Sequence, residues 1–161
     1  MAQSIATEAL AHHEAAHAVV SYALDLRFKY VTVLPSEDAL GHIRHIRHPK
    51  WFKPDIDPSS RAKAYAERHI VTALAGQIGE SVFLGKRPKL GQQVNSEAVD
   101  MASLFCGGSD ATLEAHLNYC WCMAKALVDL HWSQIQALAA ALLERKTIRY
   151  RAAVEIISTA V

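Results

Sequence analysis

From Ser4 to Leu26 the apolar positions Ile5, Ala9, Leu10, Ala16, Val19, Val20, Ala23 and Leu24 recur at steps of three and four. That is the period of a helix burying one face, with Ser4 or Thr7 offering a hydroxyl as its cap. The period then changes. Tyr30-Val31-Thr32-Val33-Leu34 is a β-branched run stopped by Pro35. After a turn at Asp38 to Gly41 comes a second short run, His42-Ile43-Arg44-His45-Ile46. The two predict a small antiparallel pair. Lys50 to Pro58 holds two prolines and two aromatics without a period and reads as an irregular loop. A helical pattern resumes from Ser59 to Leu84, and further helices are predicted over Ser96 to Cys106, Ala111 to Leu130, Trp132 to Arg145 and Thr147 to Ile157. Gly107-Gly108 and Ser109-Asp110 mark the break before the longest of these. The fold class expected is mainly α with a small antiparallel hairpin or sheet.

Composition narrows the picture. The 161 residues suit one domain spanning 1–161, and no repeat, low-complexity tract or linker divides them. An apolar fraction of 51% argues against disorder. A formal net charge of +1 gives no basic surface for nucleic acid. The cysteines, Cys106, Cys120 and Cys122, are odd in number and lack CxxC spacing, which suits reduced thiols packed as small hydrophobes. No run reaches the roughly 18 apolar residues of a membrane span, and the first residues lack a basic head before an apolar core. We expect a soluble, cytoplasmic protein without membrane or nucleic-acid partners.

The chemistry lies in the first helix. His13-Glu14-Ala15-Ala16-His17 puts two imidazoles four residues apart on one helical face with a carboxylate beside the first. Zinc hydrolysis needs such a trio: two neutral imidazoles on the ion and an acid that takes a proton from water without ligating. A second set, His42, His45 and His48, alternates with arginines. A three-residue step on a strand sends His42 and His45 to opposite faces and the arginines repel a cation, so this reads as a solvated or substrate-facing strand.

Four blocks together resemble the proteolytic domain of the FtsH-type ATP-dependent zinc metallopeptidases. His13-Glu14-Ala15-Ala16-His17-Ala18-Val19-Val20 is similar to that family's HEAGHAVV. Val31-Thr32-Val33-Leu34-Pro35 with Ala39-Leu40-Gly41 is similar to its VTIIP strand and downstream ALG. Residues 73–85, ALAGQIGESVFLG, resemble its ALGGRAAEELVFG helix. Residues 135–147, IQALAAALLERKT, resemble its terminal LLEKET pattern. The blocks keep the family's order over most of the chain. Two departures stand out. There is no GxxxxGK[ST] loop, and the expectation is a peptidase domain without an attached ATPase. Ala16 replaces the glycine before the second histidine.

The resemblance implies a helical, zincin-like peptidase domain that holds Zn2+ through His13, His17 and an acid opening a later helix. In the corresponding stretch, Val94 to Asp100, register favours Glu97, with Asp100 the less favoured choice. A charge stabilised by the helix dipole would equally explain Glu97. Glu14 would be the general base of peptide-bond hydrolysis, and Glu80 would support a ligating histidine from behind. The implied substrate is an unfolded polypeptide or peptide, delivered by a separate partner or taken by a homo-oligomer. The alternative is a non-catalytic interaction domain, zinc-binding or metal-free, that keeps the peptidase fold.

Overall fold

In the computed structural model, which describes residues 2–37, 39–91 and 95–160, the periodic stretches become helices and the β-branched runs become strands. In chain order they are α1 (Ala2–Ala23), β1 (Phe28–Thr32), β2 (His42–His45), α2 (Ser60–Phe83), α3 (Ser96–Ser103), α4 (Asp110–Leu130), α5 (Trp132–Arg145), β3 (Thr147–Arg149) and α6 (Tyr150–Thr159). The domain is mainly helical with one small antiparallel sheet. Helix starts follow side-chain chemistry. Ser59 accepts from the Ala62 N–H, Asn95 from Glu97 and Ser109 from Thr112, each satisfying an amide the helix leaves open. At α1 the cap expectation fails: the helix already begins at Ala2, and Ser4 lies inside it, donating to Glu8 Oε1 at 2.8 Å. The 50–58 segment is irregular, as its prolines require.

The sheet order is β2-β1-β3, with both pairings antiparallel. Val31 at its centre faces Ile43 on one side and Ile148 on the other, and Val31 and Ile148 are buried. The third strand differs from the helix expected over Thr147 to Ile157. Three residues are too few to show a period, and what makes them a strand is a partner far away in the chain: Thr32 and Thr147 hydroxyls meet at 2.7 Å and Val33 N–H donates to Lys146 O at 2.9 Å. Lys146, at φ 65°, ends α5 and turns the chain into this strand.

The core sits where α1 crosses α2 and α5. Val19, Val20, Ile70, Leu74, Ile78, Ile135, Leu138 and Leu142 are among its fully buried side chains, and the alanines of α1 between them let the helices close in. The tightest approach is at Gly79 of α2. A Cβ built there would stand 2.6 Å from Ala16 Cβ and 3.0 Å from His12 O, neither of which can swing aside. A smaller cluster of Phe52, Ala62 and Ala66, flanked by Trp51 and Tyr65, pins the 50–58 segment to the start of α2. Among the described residues, no helix is long and apolar enough to cross a membrane.

Gly79→Ala therefore sets a gain in helix propensity of about 1 kcal/mol against overpacking that typically costs about 1–3 kcal/mol. The methyl meets a backbone atom and another Cβ, which places the cost at the upper end. We expect a net destabilisation of about 1–2 kcal/mol in urea denaturation, whereas the same change at Gly91, which has nothing within 4 Å, should not destabilise.

Candidate metal centre

Helix α1 carries His13 and His17 one turn apart toward α2, and α2 receives them with a face of its own built on a step of four: Thr72, Gly76 and Glu80. His17 Nδ1 donates to Thr72 O at 2.7 Å, and His13 Nδ1 pairs with Glu80 Oε2 at 2.9 Å. Each ring is held from behind through one nitrogen, leaving Nε2 with its lone pair, the form that binds a metal. The rings stand 4.8 Å apart at 72°. Gly76 keeps the space between them open, since a Cβ on it would lie 2.6 Å from His13 Nε2 and closer still to His17 Nε2. Both Nε2 atoms thus face the same narrow space beside the bare backbone of α2, which only a glycine at position 76 leaves free.

Glu14 is 4% exposed, and its Oε2 has no hydrogen-bond partner. Gly41, at the entrance to β2, backs it closely: a Cβ there would stand 3.1 Å from Glu14 Oε1 and 2.9 Å from Thr32 O. Burial pushes the Glu14 carboxyl up to about 8. The His17 imidazole is held down to about 3 by burial first and by His13 second, against the opposing bond to Thr72. His17 is therefore neutral in neutral solution, as ligation requires.

These three residues line a cavity of about 470 Å3 into which Glu97 also faces from the first turn of α3. Asp100, one turn on, is exposed and does not line it. Residues 92–94, including Val94 of the stretch examined for a third ligand, lie outside the described residues. Among the described residues, no three His, Cys, Asp or Glu side chains are close enough to hold a metal ion together. The structure brings His13, His17, Glu14 and Glu80 into one arrangement and sets Glu97 on the wall of the same cavity, short of contact with the pair.

Thr72, Gly76 and His69 were not legible as site residues. Counting back from Glu80 in steps of four would have found the first two, but His69 has no such signal. His42 and His45 lie on opposite faces of β2 as the strand period requires, yet both line the cavity, which runs along the free edge of this strand. They are not a wet face: His42 Nδ1, His45 Nδ1 and His69 Nε2 are all buried without a hydrogen-bond partner. The cysteines are free thiols, Cys106 and Cys120 buried as expected of small hydrophobes and Cys122 exposed.

Compared with family models and with curated proteins, the chain matches none.

His69 is held down to about 3, by burial first, then by His48, His45 and Arg68; Tyr65 also packs against its ring. In the unfolded chain it would titrate near 6.5. Below that value the unfolded state takes up a proton the native state refuses. Stability is therefore intact above pH 6.5 and lost as pH falls toward about 3. Urea midpoints measured across this window should fall steadily for the native sequence and less steeply for His69→Gln.

Proposed function

We propose that this chain is a zinc metallopeptidase that hydrolyses peptide bonds in unfolded polypeptides or peptides. The observation that carries this reading is the convergence of both Nε2 atoms on the space Gly76 leaves open, with the partnerless Glu14 carboxylate buried beside them. The donor set fits zinc: two imidazoles, each anchored through its other nitrogen, and an acid within the same cavity. His13, His17 and Glu97 would hold the ion, Glu97 swinging in from the head of α3. When bound, zinc supplies the Lewis acidity that lowers the pKa of water and polarises a carbonyl.

The side chains of this protein do the rest. In its ionised form, which burial disfavours below about pH 8, Glu14 accepts a proton from the attacking water and passes it to the leaving amine. Glu80 and Thr72 O fix the two rings so that Nε2 stays turned into the cavity. β1 is paired on both sides, which leaves β2 and β3 as edges; β2, whose residues line the cavity, is the one along which an extended substrate would add itself. Strand addition requires an extended chain, so folded substrates would need a separate delivery partner or a homo-oligomer to present them. Three free thiols agree with a reducing, cytoplasmic setting.

Glu14→Gln keeps the shape and removes the proton acceptor. Fold and zinc content should stay at the native level while cleavage of an unfolded protein drops about 10²- to 10⁴-fold. His17→Ala should cost one equivalent of zinc by elemental analysis, and cleavage with it. A native protein that cleaves no peptide or unfolded protein in the presence of zinc would favour the non-catalytic interaction domain. Cleavage that persists unchanged in Glu14→Gln would exclude this residue as the base.

A further inference from the structure

We infer that His45, His48 and His69 form a second transition-metal site, distinct from the His13/His17 pair although His45 and His69 line the same cavity, in which an ion such as zinc ties the end of β2 and the loop after it to α2. Two imidazoles on one tetrahedral ion, with nitrogens about 2.0–2.1 Å from it, bring their ring centres to about 5 Å apart. His48 and His69 stand at 4.7 Å and 74°, and His45 and His69 at 5.6 Å and 68°. The His13/His17 pair, whose Nε2 atoms face one narrow space, stands at 4.8 Å and 72°. His69 thus relates to both neighbours as the two α1 histidines relate to each other.

The donor atoms are free to serve. His69 Nε2 and His45 Nδ1 are buried with no partner, a cost the fold carries unless something else occupies them. His45 lies against the Arg27 backbone, and His48 is held by Nδ1 against the Tyr65 hydroxyl at 3.2 Å, which leaves His48 Nε2 open. That is the anchoring a ligating imidazole needs. In this structure the three donors do not yet meet at one point. His48 is exposed on its loop and has the freedom to turn in. Two like charges oppose a cation here, Arg47, which lines a pocket together with His69, and Arg68. The Arg68 guanidinium is turned to Leu24 O at 3.3 Å, and the two charges make this the weaker of the two sites.

Cobalt titration tests the site independently of any peptidase activity, because Co2+ in a tetrahedral nitrogen site absorbs strongly in the visible. The native protein should bind a second equivalent beyond the first. His13→Ala/His17→Ala protein should still bind one, and His48→Ala, at an exposed position that does not threaten folding, should lose only the weaker. Zinc should raise the melting temperature of the His13→Ala/His17→Ala protein, and this rise should vanish when His48→Ala is added. If His13→Ala/His17→Ala protein binds no cobalt, or if His48→Ala and His69→Ala leave the stoichiometry of the native protein unchanged, the second site does not exist. A single equivalent lost with His13 and His17 but kept in His48→Ala would leave the first centre standing and overturn only this one.

Discussion

The close approach of α1 and α2 governs the molecule. Ala16 packs on the bare backbone of Gly79 while His13 and His17 reach across Gly76, three residues away on the same helix. Small residues on both sides allow the axes to close, and that proximity lets a backbone carbonyl, Thr72 O, and a carboxylate, Glu80, reach the Nδ1 atoms of α1. Larger side chains at these glycines would separate the helices and disengage both anchors at once. Packing and site chemistry are here one constraint: the contact that buries apolar surface also sets the tautomer and aim of two imidazoles.

The cavity is closed on its other flanks by elements that owe their position to the sheet. β1 lies centrally and holds β2 against the mouth, where Gly41 comes up against Glu14. β3 completes the sheet from the far end of the chain and locks the turn after α5 to β1 through the Thr32–Thr147 hydroxyl pair. The Glu14 carboxylate is consequently buried by a strand entrance on one side and a helix on the other. Desolvation alone accounts for its raised pKa.

Polar groups are spent unevenly. Most of the core is alanine and branched aliphatics without polar demands, while the buried atoms that lack partners include Glu14 Oε2, Thr72 Oγ1 and nitrogens of His42, His45 and His69, all from residues lining one cavity. A domain this economical elsewhere concentrates its unsatisfied polar atoms where a substrate, an ion or water would satisfy them. His48 and the aromatic cluster of Trp51, Phe52 and Tyr65 also pack the irregular 50–58 segment against α2.

Periodicity alone determined the helices α1, α2, α4 and α5, the β1–β2 pair, the irregular 50–58 loop and the shared face of His13 and His17, because each depends on neighbours within a few residues. Tertiary structure decided what depends on distant ones. β3 is a strand only because β1 is there to pair with it. Glu80 reads as an ordinary helical acid until α1 brings His13 within 2.9 Å. Gly76 and Gly79 look like weaknesses in a helix until the atoms they make room for are placed. His69, unremarked in its own helix, gains a role only from His45 and His48 arriving off the sheet. A one-dimensional pattern specifies which face of an element is buried; which atoms meet across that face is fixed by how the elements dock.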